Sequence, residues 1–103
     1  MDLTEISVRL RDEKKLRAFV NITFDNVFAI KGLKIIRAKQ GFILCMPSRK
    51  AEDGTQRDIA HPITKEFRKK LESEILGEFM RVLDRAAKGE IDLSEVEEEE
   101  FID

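Results

Sequence analysis

The sequence is poor in the residues that usually form disulfides, metal sites and nucleophilic active sites. Its 103 residues include one cysteine, one histidine, two prolines and no tryptophan or tyrosine. A single cysteine cannot form an internal disulfide, and Cys45 with one distant histidine lacks metal-ligand spacing. The sequence has no Gly-rich phosphate loop and no nucleophile-elbow motif. We therefore expect no enzymatic activity, no cofactor, no metal and no small-molecule substrate.

Long apolar segments are absent as well. No apolar run approaches the roughly 20 residues that a membrane-spanning helix needs. The N-terminal Met-Asp-Leu-Thr-Glu lacks the basic-then-apolar layout of a signal peptide. We expect a soluble, intracellular protein of one domain. Domains of this size are often marginal alone, so a partner subunit is expected.

Charge is plentiful and unevenly distributed. Acidic and basic residues make up 39% of the chain, whereas about a quarter is usual. Residues 90–103 hold eight of the 21 acids and no base, which leaves residues 1–89 with 13 acids against 19 bases. The body of the chain therefore carries a formal charge of +6, although the whole chain has a net charge of −2. Such a body attracts anionic partners.

The apolar residues of the first half recur every two positions, which is the period of a β-strand. Residues 3–11 and 16–24 both alternate in this way, and the polar residues between them predict a hairpin. Phe19 interrupts the polar face of the second strand, which indicates that this outer face is partly covered. Asp25-Asn26 is a turn signal because both side chains tolerate a left-handed backbone.

Two further strands are predicted before the chain reaches Pro47. Residues 27–38 form one long strand that bends at Gly32, since a lone glycine within a strand pattern indicates a bulge. Residues 42–46 are wholly apolar, which predicts a short central strand covered on both faces. Pro47 has no amide hydrogen to give to a ladder and ends that strand.

The second half has the period of a helix. Residues 48–55 are expected to form an exposed loop and residues 56–60 a short strand. Because the residue before a proline disfavours the α conformation, the helix begins after Pro62, with Thr64 as N-cap and Gly89 as terminator. Its predicted apolar stripe consists of Phe67, Leu71, Ile75, Leu76, Phe79, Met80, Val82, Leu83 and Ala86. The predicted fold is α+β, with an antiparallel sheet of four to five strands, one long amphipathic helix and an acidic C-terminal tail.

Basic residues concentrate where the two halves meet. Arg49 and Lys50 precede the Asp53-Gly54 turn signal and Arg57 follows it, so a closed loop would hold the three cations near one another. Bases near a helix N-terminus are also unusual, because the helix dipole favours acids there. The candidate anion-binding residues are Arg49, Lys50, Arg57, Lys65, Arg68 and Lys69. The alternative is a solvated loop and a solvated helix face, partly neutralised by neighbouring acids.

Ser48, Asp58 and His61 are the residue types of a hydrolase triad, but their spacing matches no nucleophile motif. A proline follows the histidine. The preferred interpretation is a structural His61 at the strand–helix corner and an Asp58 paired with a neighbouring base. We likewise expect Cys45 to be a buried, inert thiol.

The stretch around these cations resembles the SpoVG family, the stage V sporulation (septation) protein G group. The motifs are Met-Pro-Ser-Arg-Lys at 46–50, Asp-Gly at 53–54 and Arg-Asp-Ile-Ala-His-Pro-Ile at 57–63. Val-Arg-Leu-Arg at 8–11 and Ile-Thr-Phe-Asp at 22–25 follow the same order of elements. The resemblance covers residues 3–85.

This resemblance implies a homodimeric, bacterial cytoplasmic protein with an antiparallel sheet and one main helix. It implies binding of nucleic acid, mainly DNA with RNA as an alternative, and a role in sporulation, septation or global gene regulation. The family's binding residues are the basic ones in and around this loop, which fall here on Arg49, Lys50 and Arg57. The alternative function is a protein-interaction module that recruits a division or regulatory partner, with incidental DNA binding.

The charge asymmetry divides the chain into two parts. We expect residues 1–89 to form the SpoVG-like nucleic-acid-binding domain and residues 90–103 to be a mostly disordered acidic tail. In the alternative hypothesis the tail folds back over the basic loop as a nucleic-acid mimic and weakens binding. The tail is more acidic than the family pattern leads us to expect.

Overall fold

The computed structural model describes residues 1–89, which form a four-stranded antiparallel sheet, a separate two-stranded hairpin and one helix. The predicted α+β fold, with an antiparallel sheet followed by one long helix, is confirmed. The elements are β1 (Leu3–Leu10), β2 (Leu16–Phe24), β3 (Phe28–Ala38), β4 (Gly41–Cys45), β5 (Ser48–Lys50), β6 (Gln56–Asp58) and α1 (Lys65–Ala87).

The core lies between one face of the sheet and α1. Val8 pairs with Val20, and Val20 pairs with Leu33, so these three side chains lie side by side on the face that the helix covers. Ile75 and Phe79 of the helix enter the same layer and are fully buried. Burying an aliphatic or aromatic side chain of this size contributes about 1.5–3 kcal/mol. The alternation in the sequence therefore decides which face of the sheet is inside.

Asp25 and Asn26 form the turn between β2 and β3, as predicted. Their φ angles are 50° and 56°, and positive φ at both central residues is what a type I′ turn requires. The amide of Val27 donates to the carbonyl of Phe24 at 3.0 Å and closes the turn. A side-chain oxygen of Asp25 also accepts from the amide of Asp2 at 3.1 Å, which ties the N-terminus to this end of the sheet.

β3 is a single strand with a bulge at Gly32, which confirms the predicted bend. The register between β2 and β3 shifts by one residue opposite Asn21. Gly32 has a φ of 86°, a conformation that glycine adopts without the steric cost that a Cβ would add. Its amide donates to Oδ1 of Asn21 at 3.1 Å, so the group that leaves the ladder still has an acceptor.

β4 is an edge strand, so the prediction of a central strand there is wrong. The strand order is β1-β2-β3-β4, and β4 pairs with only the second half of β3. The side chain of Leu44 points into the core and is 1% exposed, whereas Ile43 is 44% exposed. The prediction failed because an apolar run in a sequence shows that the side chains are hydrophobic but does not show how many strands pair with the segment. The exposed side of this strand is therefore a surface, not part of the core.

The helix begins and ends as predicted. Thr64 is the N-cap, and its hydroxyl accepts from the amide of Phe67 at 3.2 Å. Gly89, with a φ of 79°, follows the last helical turn. The rings of Phe42 and Phe79 meet edge to face with their centroids 4.9 Å apart, which fixes α1 against the edge strand.

The predicted apolar stripe of the helix packs on the core as expected, except at Met80. Leu71, Ile75, Phe79 and Val82 are buried, whereas Met80 is 52% exposed. Consecutive residues of a helix differ by about 100° in direction, so Met80 turns away from a sheet that Phe79 faces. Met80 is therefore a surface residue.

No helix within residues 1–89 is long and apolar enough to cross a membrane. The predictions made for residues 90–103, tail disorder and a fold-back over the basic loop, lie outside the described residues.

Candidate functional site

Residues 48–58 form a hairpin, so the expectation of an exposed loop over residues 48–55 is correct in its exposure but wrong for residues 48–50, which form a strand. Residues 48–50 form β5, which pairs antiparallel with β6, and residues 51–55 connect the two strands. The predicted short strand over 56–60 is confirmed for its first three residues. The amide of Ile59 donates to the carbonyl of Pro47 at 2.7 Å and closes the base of the hairpin. All six strand residues are exposed, so the hairpin projects its side chains into solvent.

The hairpin places Arg49 and Arg57 directly opposite each other, and Lys50 lies opposite Gln56. Because side chains alternate along a strand, the two arginines share one face and Lys50 points to the other. The structure therefore brings together two of the three cations predicted for this loop. Like charges facing each other across a strand pair are unfavourable unless an opposite charge lies nearby.

Asp53 forms an ion pair with Arg57, one of these two arginines. One of its carboxylate oxygens lies 3.5 Å from Nη2 of Arg57, and both side chains are more than half exposed. The other oxygen accepts from the hydroxyl of Thr55 at 2.7 Å and from its amide at 3.0 Å. These two hydrogen bonds from Thr55, followed by that from Arg57, lower the pKa of Asp53 below its ordinary value. The turn is therefore held by an ionised carboxylate that also neutralises part of the Arg57 charge.

The basic residues at the start of α1 lie in two different surroundings. Arg68 is partly covered, and its Nε lies 3.4 Å from a carboxylate oxygen of Glu72. Lys65 and Lys69 are exposed and, being four residues apart, lie one above the other on the helix surface. The charges of Arg68 and of Asp58, at the hairpin base, both act on the thiol of Cys45. The helix start therefore presents these two exposed lysines and one partly covered arginine that is paired with an acid.

Cys45 and the triad-like residues have structural surroundings. Burial is the main reason why the pKa of the Cys45 thiol is raised, which makes the thiolate scarce near neutral pH. Nδ1 of His61 lies 3.2 Å from the carbonyl oxygen of Pro62, while the hydroxyl of Ser48 donates to Oε1 of Gln56 at 3.2 Å. The serine and histidine are therefore engaged separately and do not form a nucleophile–base pair. Within residues 1–89, no group of three or more histidine, cysteine or carboxylate side chains could hold a metal ion.

A second group of cations, on the outer face of the sheet, was missed in the sequence. Arg9 pairs with Phe19, Phe19 with Lys34, and Lys34 with Cys45, so these four residues form a row across all four strands. They alternate with inward-pointing apolar residues, which places them on the face opposite the helix. The period-2 pattern of each strand could have shown that these residues share the outer face. Their alignment into a row depends on the strand register, which cannot be predicted from the sequence pattern.

An exposed apolar surface lies beside a cavity that Met46, Ala60 and Ile63 line, close to the base of the hairpin. Phe28 is 59% exposed and Ile63 is 89% exposed. The cavity is half open, has a volume of about 360 Å³ and lies beside the buried side chains of Phe24 and Leu33. In the described chain, no strand pairs with the first half of β3 on the side away from β2. Exposed apolar side chains, a cavity and an open strand edge therefore coincide.

Comparisons with known proteins agree with the motifs of the hairpin. The SpoVG family model matches residues 1–81. The chain is 42% identical over 87 residues to a septation protein SpoVG of Anaeromyxobacter dehalogenans (strain 2CP-C), which covers 84% of this chain and 86% of that protein. It is 42% identical over 88 residues to that of Thermoanaerobacter sp. (strain X514), with 84% and 96% covered. The SpoVG of Acetivibrio thermocellus is 45% identical over 80 residues, with 77% and 85% covered.

Proposed function

The chain belongs to the SpoVG family, and we propose that it is a regulatory protein that binds nucleic acid, mainly DNA. We assign it a role in sporulation, septation or global gene regulation in bacteria, which the names of its relatives as septation proteins support. The observation that carries the proposal is the arginine pair, Arg49 opposite Arg57, on an exposed hairpin. No catalytic role is assigned to any residue.

The hairpin suits contacts to phosphate. Guanidinium groups donate two parallel hydrogen bonds to a phosphate, and two of them on one face offer a larger positive potential than either alone. Such contacts give affinity with little base selectivity. A two-stranded ribbon also fits the major groove, where an arginine can bind O6 and N7 of guanine. Lys50, Arg68, Lys65 and Lys69 are proposed to assist from the opposite side of the hairpin and from the helix start.

We propose that the protein acts as a homodimer and that the exposed apolar surface is its interface. Isolated exposed apolar residues are common, but a contiguous surface beside an open strand edge indicates an interaction site. A second copy presents the same surface, so a two-fold arrangement would cover both edges at once. A dimer of this kind carries two hairpins, which suits a duplex with paired half-sites. Residues 1–89 are proposed to be the binding domain and residues 90–103 an acidic appendage.

The same apolar surface favours a second candidate function. In that alternative the surface recruits a division or regulatory protein, and DNA binding is incidental. The two functions differ in how binding depends on salt. Incidental binding is weak, indifferent to sequence and absent by about 150 mM salt, whereas a built site persists with a defined slope.

The test is a salt titration of binding to a fluorescent mixed-sequence duplex. The double variant Arg49→Gln, Arg57→Gln removes both charges of the pair, and Arg81→Gln, Arg85→Gln removes two charges from the far end of the helix as a matched control. We expect the first variant to flatten the plot of log affinity against log salt by about 1.8 and the control to leave it unchanged. Equal slopes for both variants would refute the assignment of the hairpin.

A further inference from the structure

The outer face of the four-stranded sheet is covered by basic side chains. Phe19 lies on this face, outside the core cluster, yet only 3% of it is exposed. The guanidinium carbon of Arg11 lies 5.7 Å from the centre of its ring. Arg9 and Lys34 are its direct neighbours on the two adjacent strands. The aliphatic stems of long basic side chains can cover an apolar ring while their charged heads stay in water.

This arrangement spreads cations over a flat area. Neighbouring strands are about 4.8 Å apart, so the backbone positions of Arg9 and Lys34, with one strand between them, are separated by about 10 Å. Arg17 does not belong to this face, because the register of β2 against β3 shifts between Leu16 and Ala18 and Arg17 lines a cavity with Leu83 and Ala86 of the helix. The carboxylate of Glu13 pairs with Arg11. The basic residues around Phe19 on this face are therefore Arg9, Arg11 and Lys34.

The outer face is close to the hairpin. The thiol of Cys45 lies at the end of the same cross-strand row, next to Lys34. The charges of Lys34, Asp58 and Arg68 all act on that thiol. Only Met46 and Pro47 separate Cys45, the end of β4, from Ser48, the start of β5, so the row on the sheet leads to the base of the hairpin.

We propose that this outer face is a second contact surface for the nucleic-acid backbone, continuous with the hairpin. The inference rests on the proposed function, because it assigns the same ligand to a larger surface. Arg9 and Lys34 neutralise phosphates of the duplex whose neighbouring phosphates contact Arg49 and Arg57. A long polyanion fits this surface because the charges are spread along a line instead of converging on a pocket. The planar guanidinium group of Arg11, which lies beside the Phe19 ring, also has the geometry for bidentate contacts to phosphate.

The proposal is tested with the full-length protein and the fluorescent mixed-sequence duplex between about 50 and 200 mM salt. The variant Arg9→Gln, Lys34→Gln removes two charges but keeps part of each stem over Phe19. The matched variants are Arg9→Lys, Lys34→Arg, which keeps both charges, and Arg81→Gln, Arg85→Gln, which removes two charges elsewhere. We expect only the first to lose affinity and to flatten the salt slope by about 1.8, with an unchanged thermal midpoint.

Each other outcome has a defined meaning. If the outer-face variant behaves like the helix control while Arg49→Gln, Arg57→Gln weakens binding, the outer-face proposal is wrong and the proposed function stands. If the outer-face variant weakens binding and the hairpin variant does not, the face is the binding site and the hairpin assignment falls. Absence of duplex binding by the intact protein overturns both. If the protein binds poly-glutamate more tightly than the duplex, and the outer-face variant abolishes that binding, the face binds an acidic protein segment and the proposal is overturned.

Discussion

Arg49 and Arg57 lie directly opposite each other across the β5–β6 hairpin. The position carries a cost, because two like charges face each other where an apolar or oppositely charged pair would stabilise the strands. No apolar face of the hairpin offsets this cost, since all six strand residues are exposed. A ligand with phosphates would convert the repulsion into shared attraction, and this is the physical reason for placing the binding site here.

The carboxylate of Asp53 should weaken binding, because it neutralises part of the Arg57 charge from 3.5 Å away. Asp53→Asn removes the negative charge and keeps an oxygen that can accept from Thr55. We expect the variant to bind the duplex a few-fold more tightly at low salt. The measurement is a fluorescence anisotropy titration, with Glu52→Gln as the control for loss of one acid in the same turn. An equal gain from Glu52→Gln would show that net charge, not the contact with Arg57, sets the affinity.

The pKa of Asp53 should rise when the hydroxyl of Thr55 is removed. In the folded protein this pKa is lowered from 3.8, and the hydrogen bond from the Thr55 side chain is the largest cause. A lowered folded pKa means that the turn is stabilised fully above the unfolded pKa and loses this contribution as the pH falls through the folded value. The stabilisation of the turn by the Asp53 carboxylate is therefore lost only as the pH falls below 3.8, and it is fully present at neutral pH.

An NMR titration of the Asp53 carboxyl carbon measures this shift directly. We expect Thr55→Ala to move the pKa upwards, towards its ordinary value, and Thr55→Ser to retain the low value because the hydroxyl remains. A rise of the same size in both variants would mean that the hydroxyl is not the cause.

The sequence predicted the parts of the fold that depend on periodicity and on special backbone angles. The strand alternation, the Asp25-Asn26 turn, the bulge at Gly32, the Thr64 cap and the end of the helix at Gly89 are all confirmed. Each depends on residues close in the chain. The edge position of β4 was predicted wrongly, because the number of neighbouring strands is a property of the whole sheet and the apolar run has the same composition in either position.

The candidate site was predicted in residue type but not in arrangement. The basic residues of the loop could be named from the sequence. The pairing of Arg49 opposite Arg57 could not, because it depends on the register of two short strands that have no apolar pattern. The same limit applies to the row of Arg9, Phe19 and Lys34. Phe19 was expected to be partly covered, and it is, but what lies beside it depends on pairing across three strands.

Removal of Phe79 should have a large effect on stability. Its side chain is fully buried and meets Phe42 edge to face. Replacement of a buried phenylalanine by alanine costs about 3–5 kcal/mol, because it loses apolar burial and leaves a cavity. We expect Phe79→Ala to lower the free energy of unfolding by this amount in urea denaturation. The neighbouring Met80→Ala is the control, since Met80 is 52% exposed and its loss should change stability by less than about 0.5 kcal/mol.

The acidic residues 90–103 should reduce the affinity for a polyanion by electrostatics alone. Their removal takes away eight acids and changes the formal net charge from −2 to +6. We expect the shortened chain to bind the duplex more tightly at low salt. The difference should shrink at higher salt, since charges are screened over about 10 Å at 0.1 M. The control is a full-length chain in which the eight acids are replaced by their amides, and it should bind as tightly as the shortened chain. If the deletion raises the affinity and the amide variant does not, charge is not the cause.

The exposed apolar surface predicts how the protein assembles. Ile63 is 89% exposed at the mouth of the cavity and Phe28 is 59% exposed beside the open edge of β3. If a second copy covers this surface, a charge there must be buried without a partner, which is costly. We therefore expect Ile63→Asp to shift the protein from dimer to monomer in sedimentation velocity, with unchanged circular dichroism. Met80→Asp introduces the same charge on the outer side of the helix and should leave the dimer intact. If Met80→Asp dissociates the dimer and Ile63→Asp does not, the interface lies on the helix instead. If the parent protein is a monomer, the homodimer itself is excluded.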